Sequence, residues 1–498
     1  MTLISPSNLS YILGVSISSR LLVITIQLIS NLLIEDHNAD AYRNKYYKAL
    51  TDNSGLFDML PVSYRFLYVS IEGFTKWDAQ YFLEISLDGY VSEQHLAFLP
   101  FYPLVISFIR QNLFGHTRPS FEHFLPTYSI QQIPTQDVVS VSSLENYIQA
   151  ALVGVAINNF VLVPLICILL FALTRLVKRS DEVYANTVVW WFCFNPASIF
   201  FSSCYSESLF AALTLSALLI IEYRSQKYLS NHPPTIRSKR YVFEPLNHLN
   251  RLIYIVLPAL IPLALASATR SNGLVTIGFI IFQFLVKYVT VLMTDRRIWS
   301  WLAYLSVALE LIQDILVLVM SSVLAASGYI SFQIYSFILF CTSSQNHHPK
   351  ESPGPPRPFW CDNIVPHPYG HVQAKYWNVG LFKYYEIKQL PNFLLAMPIS
   401  YIVLVGSLRS SRQFTKTFIS SFKEQLAYYM HTIFITLLCS VSINIQVITR
   451  LVASSCPAVY WICADTMRNR KSYRILMAYF LSYFLIGTVL HSNFYPWT

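Results

Sequence analysis

Charge is scarce in this 498-residue chain: Asp, Glu, Lys and Arg together make up 12%, about half the share in soluble globular domains. So few charges cannot coat a water-exposed surface of this size, which excludes a set of soluble domains. A Gly-rich phosphate loop, a Walker motif and an HExxH pair are missing as well. No Asp-x-Asp cluster occurs, so metal-assisted use of a nucleotide sugar finds no support and no metal site is expected. The eight cysteines lack CxxC spacing, which removes zinc and thioredoxin-like readings. No internal repeat is visible, which weakens a transporter reading, because many transporters are built from repeats.

Hydrophobic residues are abundant, at 54%, and 15% of the chain is aromatic. Apolar runs long enough to span a bilayer fall at 11–34, 96–113, 147–173, 184–203, 206–223, 252–269, 273–292, 393–408, 427–448 and 474–491. The stretch 299–341 is too long for one upright helix and reads as one tilted helix plus a re-entrant piece, or as two helices. The expected fold is an all-α polytopic membrane protein of roughly 10–12 transmembrane helices, forming a single multi-pass domain over 1–498.

The net charge of +9 does not indicate nucleic acid, because the basic residues cluster between apolar runs in the positive-inside pattern. These clusters are Arg175, Lys178 and Arg179; Arg224, Lys227, Arg237, Lys239 and Arg240; Arg296 and Arg297; Arg409, Arg412 and Lys416; and Arg468, Arg470, Lys471 and Arg474. With the clusters cytosolic, the segments 195–208, 269–273, 342–392 and 447–460 and the C-terminal tail fall on the lumenal side, and 35–95 joins them if the N-terminus is cytosolic. Parity fails between 95 and 175, which calls for a re-entrant segment or a break of the third run near Asn158, Asn159 and Pro164. Cys341 and Cys361 flank the 342–392 loop and can pair if it is lumenal. The first run, Tyr11 to Ile34, lacks a basic n-region and a cleavage site, so it reads as a retained signal anchor. Arg20 interrupts it, at high cost unless it faces protein or water.

Four polar segments stand between the apolar runs. In the first, Lys76-Trp77-Asp78 opens a stretch with the periodicity of a helix lying on the membrane surface, which leads on to Glu93-Gln94-His95. Asp78 and Glu93 are carboxylates suited to accepting a proton from a hydroxyl; equally, Asp78 caps a helix and Glu93 is solvated. The second runs from Asn195 to Ser208. Its Glu207, beside hydrocarbon, is a site candidate or part of a helix cap with Ser206 or Ser208. In the third, Arg270-Ser271-Asn272-Gly273, the guanidinium can clamp a phosphate, snorkel, or pair with Glu207. The fourth spans Trp360-Cys361, Tyr369 to Gln373, Tyr376-Trp377-Asn378 and Leu390 to Ala396. It mixes rings with amides, as a sugar site or an interfacial aromatic belt does.

In order, these segments resemble the GPI mannosyltransferase family that adds the second mannose, known as PIG-V in animals. The resemblance runs from Trp77-Asp78 to the tail Ser492-Asn493-Phe494-Tyr495-Pro496-Trp497-Thr498. It includes Asn195 to Ser208, Arg270 to Gly273, Tyr376 to Gly380, Pro391 to Ala396, and Tyr460-Trp461. It implies a GT-C-type bundle in the endoplasmic reticulum membrane, with lumenal loops carrying the site. It also implies an inverting α-1,6 transfer from dolichyl-phosphate mannose to the mono-mannosylated glucosaminyl-(acyl)phosphatidylinositol, without a cofactor. A small membrane subunit is a further candidate partner. The resemblance implies an acidic site residue in the first lumenal loop, which Asp78 matches; the expected mechanism uses Asp78 as the base, with Glu93 or Glu207 as second choices, and Arg270 or Lys375 at the phosphate. The remaining candidates for substrate binding are Trp77, His95, Asn195, Ser206, Asn272, Gln373, Tyr376, Trp377 and Asn378. The Pro-rich 348–358 stretch and the polar 114–146 region depart from the family pattern. Competing readings are a sister transferase with another acceptor, a multi-pass lipid transporter using Arg20, Glu207 and Arg270 as a relay, and a non-catalytic subunit.

Overall fold

The computed structural model describes residues 4–51, 55–115, 139–231, 252–294, 301–342, 357–414 and 422–497. Among these the chain is helical, with no strand. The main helices are α1 (Pro6–Leu33), α2 (Ala79–Asp88), α3 (Phe101–Phe114), α4 (Val141–Val177), α5 (Glu182–Cys193), α6 (Glu207–Asn231), α7 (Leu252–Thr269), α8 (Ile277–Thr294) and α9 (Trp301–Phe337). They continue with α10 (Pro368–Trp377), α11 (Leu390–Phe414), α12 (Phe422–Ser442), α13 (Ile448–Ser455), α14 (Pro457–Asp465) and α15 (Arg470–Ser492). Seven helices among the described residues are long and apolar enough to cross a membrane, or eight if the bent pair α13–α14 is one span. The Pro-rich 348–356 stretch, most of the 114–146 region, and Arg237, Lys239, Arg240, Arg296, Arg297 and Lys416 lie outside the described residues.

The first helix shows how a membrane bundle inverts the soluble pattern. Ser5 accepts the Asn8 N–H and Pro6 opens the first turn, so α1 starts cleanly. Leu21, Leu22 and Ile29 point outward, while Ser16, Ser19, Arg20 and Gln27 are buried. Apolar side chains face the lipid side and polar ones are satisfied inside the protein. α1 packs on α15, α4 and α5; α4 packs on α5 and α6; and α6 continues onto α7, which packs on α9.

Three expectations are corrected. The third apolar run does not break: α4 is continuous over 37 residues, with a π turn at Asn158–Leu162. Pro164 lacks an N–H, and the wider turn just before it absorbs that defect. The 184–203 run is helical only to Cys193; residues 194–206 form an irregular, almost wholly buried loop with one short 3₁₀ turn. Within the 299–341 stretch, residues 301–337 form one helix, α9, of 37 residues, about 55 Å long at 1.5 Å per residue, followed by a π turn over Ile338–Thr342.

The buried loop 194–206 is held from two sides. From α1, Arg20 donates to the carbonyls of Cys193 (2.8 Å) and Ser198 (3.1 Å), to Ser202 Oγ (2.9 Å) and to Ser198 Oγ. From the π turn of α4, Asn158 donates to the carbonyls of Ser203 and Tyr205, and Asn159 to that of Ser202. Arg20 is thus a brace facing protein, as its cost demanded. The 447–460 segment, placed on the lumenal side by the basic clusters, carries α13 and the start of α14, a helix pair bent by 86°. Cys341 and Cys361 are disulfide-bonded.

Candidate active site

Lys76 and the turn behind it prepare the position of Asp78. The Lys76 ammonium is wholly buried and donates to Glu72 Oε1 (2.8 Å), to the Tyr47 hydroxyl (3.0 Å) and to Asp36. Trp77 follows with φ 58°, a left-handed conformation that costs a non-glycine residue about 1–2 kcal/mol. Such strain persists where the surroundings over-determine it. Here Lys76 anchors one side, the Phe494 ring lies 5.6 Å from the Trp77 ring, and the Asp78 N–H donates to the Tyr205 hydroxyl (3.0 Å). Burial, and then the Asp78 carboxylate, push the Tyr205 phenol well above its ordinary pKa, so it stays protonated.

Asp78 stands at the N-cap of α2, yet its carboxylate caps nothing. It accepts from Arg450 Nη1 at 2.7 Å instead. The Arg450 guanidinium lies over the Phe200 and Tyr205 rings, with Nε 3.8 Å from Glu207 Oε1. Glu207 is wholly buried, and Arg270 Nη1 stands 2.6 Å from it. No donor reaches either Glu207 oxygen in hydrogen-bond geometry among the described residues, so the two arginines neutralise it by charge alone. Arg270 also donates to Ser206 Oγ (3.2 Å). Asp78, Arg450, Glu207 and Arg270 form one alternating line of two anions and two cations.

A cavity of about 530 Å³ opens beside this line. Of the residues expected at the site, Trp77, Asp78, Ser206, Arg270 and Asn272 line it, as do Gln373, Tyr376 and Trp377 from α10. Both polar side-chain atoms of Asn272 lack a partner among the described residues, so they are available to a ligand. Arg450 and Tyr42 are among the lining residues that the sequence reading did not single out. Tyr81 stacks between Tyr42 (4.1 Å) and Phe98 (4.4 Å), making an aromatic wall suited to a sugar face. For Arg450 a signal existed, because it follows the apolar run 427–448 just as Arg270 follows 252–269.

The arrangement places a solvent-reachable carboxylate next to two guanidinium groups, one held by the carboxylate and one by a buried counter-ion. That combination suits proton acceptance beside stabilisation of a phosphate. The chain matches the family model described as Mannosyltransferase (PIG-V) over residues 10–498. It belongs to the PIG-V mannosyltransferase family. GPI mannosyltransferase 2 of Drosophila pseudoobscura pseudoobscura is 30% identical, with 97% of this chain and 98% of that protein covered. The GPI alpha-1,6-mannosyltransferase 2 proteins of Cricetulus griseus and Homo sapiens are 27% and 26% identical, each with 98% of both chains covered. No solved structure matches.

In this mannosyltransferase the other expected site residues lie away from the cavity wall. Glu207 sits behind the two arginines as their counter-ion. Glu93 accepts from Trp360 Nε1 (2.9 Å), Lys375 Nζ (2.6 Å) and the Tyr376 hydroxyl (2.8 Å). Partial burial pushes its carboxyl up, but the hydrogen bonds from Lys375, Tyr376 and Trp360 outweigh that, so its pKa lies below the ordinary value. Glu93 is therefore a brace that ties α10 to the turn 93–97, and Lys375 is its partner. His95 is buried; it takes the Ser92 N–H on Nδ1 (3.2 Å) and faces Glu84 with Nε2 (3.2 Å). Asn195 is spent on its own loop, donating to the Phe192 carbonyl (2.6 Å) and accepting the Ala197 N–H (2.8 Å). Asn378, left-handed at φ 52°, ends α10 and faces a second chamber.

This placement separates the two acidic candidates experimentally. Glu93→Gln keeps most of the brace, so the variant should retain more than about a tenth of wild-type turnover. Loss of a general base costs about 10²–10⁴-fold. A turnover assay giving a loss of that size for Glu93→Gln would move the base role away from Asp78.

Proposed function

We propose that this mannosyltransferase transfers mannose from dolichyl-phosphate mannose, in α-1,6 linkage, to mono-mannosylated glucosaminyl-(acyl)phosphatidylinositol. It does so in the endoplasmic reticulum membrane, with the cavity facing the lumen. The names of the relatives support the linkage and the GPI pathway. The observation that carries the chemistry is Asp78 and two arginines meeting at one cavity. The Cys341–Cys361 bond supports lumenal exposure of its loop, because disulfides persist in oxidising compartments.

The reaction is a single displacement with inversion. The acceptor 6-hydroxyl oxygen bonds to the anomeric carbon of the donor mannose as the bond from that carbon to the phosphate oxygen breaks. The hydroxyl proton passes to Asp78, and dolichyl phosphate leaves with the electron pair. Arg270 and Arg450 meet the charge that grows on the phosphate. Arg450 is engaged by Asp78. A bound phosphodiester competes for that guanidinium, which frees the carboxylate for the proton. Glu207 holds both arginines in place by charge without touching substrate. Cationic side chains serve the phosphate, so the scheme routes no step through a metal or cofactor.

Expression of the wild-type chain in cells lacking the second GPI mannose tests the reading. Restored surface display of GPI-anchored proteins, with the two-mannose glycolipid recovered by mass spectrometry, is the expected result. Failure of the well-expressed chain to form that glycolipid would sink the acceptor assignment. With purified enzyme, Arg270→Ala should raise the KM for dolichyl-phosphate mannose and lower kcat, together about 10²-fold or more in kcat/KM. An unchanged donor dependence would remove Arg270 from the phosphate.

A further inference from the structure

Beside the catalytic cavity lies a second chamber of about 480 Å³. Tyr376 and Trp377, at the end of α10, and Asn444 and Gln446, in the turn after α12, are walls of both. The partition is therefore a few side chains thick. The outer wall comes from the 378–392 segment, through Lys383, Tyr384, Lys388, Gln389 and Asn392.

That wall is a built surface. The Gly380 N–H donates to the Ser442 carbonyl (3.1 Å) and the Phe382 N–H to that of Val441 (2.7 Å), pinning the turn onto the end of α12. Asn392 donates to the Tyr384 hydroxyl (2.8 Å), which donates to Gln446 (3.2 Å) in the partition. Asn444, also in the partition, donates to the Trp377 carbonyl (3.3 Å). Lys383 is exposed, with no carboxylate beside it among the described residues, and Lys388 pairs with Glu386 on the same rim. The chamber lies at the N-terminus of α11, whose dipole favours an anion there.

From this rim α11 descends as a candidate span, Ile387–Ser410. Leu390, Leu394, Met397 and Tyr401 are each more than half exposed, and their spacing sets them on one face of the helix. A lipid-facing stripe thus leads directly into a polar, cationic chamber that shares a wall with the catalytic cavity.

We propose that the second chamber seats the phosphoinositol end of the acceptor glycolipid. Its acyl chains follow the α11 stripe and its glycan crosses the Tyr376–Trp377 partition towards Asp78. This rests on the donor and acceptor proposed above. The assignment follows from where each substrate carries its phosphate. In the donor the phosphate is bonded to the reacting carbon, so it belongs in the catalytic cavity with Arg270 and Arg450. In the acceptor the mannose, glucosamine and inositol rings separate the reacting hydroxyl from the phosphate, so that phosphate must sit in a compartment at a distance. Lys383 and Lys388 supply charge-assisted contacts to it.

The test uses the purified full chain with short-chain dolichyl-phosphate mannose and synthetic mannosyl-glucosaminyl-phosphatidylinositol. Lys383→Glu combined with Lys388→Glu should raise the acceptor KM about tenfold or more, with kcat and the donor KM within about twofold of wild type. Lys383→Arg should keep the wild-type acceptor KM. A rise in the donor KM instead would hand the chamber to the donor, and no change in either KM would overturn the inference. A second arm measures binding of the wild-type chain to nanodiscs containing phosphatidylinositol or only phosphatidylcholine. Preference for phosphatidylinositol, lost in the double variant, is the expected result; no preference would overturn the chamber's role. If the wild-type chain binds phosphatidylinositol in this way but transfers no mannose to the acceptor, the chamber stands as a phosphoinositol site and the reaction proposed above falls.

Discussion

Asp78→Asn is expected to fold as the wild type does and to lose mannosyl transfer by about 10²–10⁴-fold, the usual contribution of a positioned general base. The amide has the shape of the carboxylate, and its carbonyl oxygen can still accept from Arg450 Nη1, which now stands 2.7 Å from Asp78 Oδ2. The backbone N–H bond to Tyr205 and the Lys76 anchor do not depend on the side chain. The negative charge is removed, and with it the capacity to take a proton. The loss should therefore appear in kcat at saturating substrates, with an unchanged melting temperature. A variant that keeps more than about a tenth of wild-type kcat would end the base assignment. Glu93 cannot replace Asp78, because its carboxylate is occupied by Trp360, Lys375 and Tyr376.

Arg20→Leu is the second large effect, on stability. The leucine matches the lipid-facing character of α1 and would be harmless on its outer face. At this position it strips the donor from the buried Ser198 carbonyl and leaves the Cys193 carbonyl only the Ser198 hydroxyl at 3.5 Å. A buried acceptor left unsatisfied costs about 1–3 kcal/mol, so a loss of at least that size is expected, before the Ser198 and Ser202 hydroxyls are considered. The loop it braces, 194–206, carries Tyr205 and Ser206 into the site. Thermal unfolding of the detergent-purified variant, read by size-exclusion chromatography, should show a clearly lower midpoint and reduced recovery. A wild-type midpoint would mean that the α4 amides Asn158 and Asn159 hold the loop unaided.

The bundle was legible because hydrophobic runs are local: α1, α6, α7, α11 and α15 each announce themselves in about 20 residues. The place of Asp78 at the cavity was legible for the same reason, as a carboxylate within a Trp-Asp turn, but the helix after it, α2, expected on the membrane surface, is buried over Ala79–Ser86. Reading failed where one side chain's meaning depends on a distant element. The basic-cluster logic called for a re-entrant segment or a break in the third run, and the third run does not break: a π turn lets α4 run on while its amides reach the loop 194–206. Glu93 looked as available as Asp78, because sequence shows a carboxylate and not the α10 donors that consume it. His95 and Asn195 were polar residues in the right segments whose hydrogen bonds are spent within the fold. Arg270 had been open between a phosphate clamp and a Glu207 partner; it pairs with Glu207 and also lines the cavity.

By itself the sequence determined that this chain is a polytopic helical membrane protein of the PIG-V type, with its polar segments between apolar runs and Asp78 in the first of them. Hydropathy, helix period and an ordered set of short motifs carry that information along the chain. Tertiary structure alone decided that Arg450, 372 positions from Asp78, is that carboxylate's partner. It also decided that Glu207 backs two arginines and that a thin wall separates two chambers. These are consequences of how α2, α6, α7, α10 and α13 pack, and charge pairing depends on distance in space, which separation in sequence does not encode.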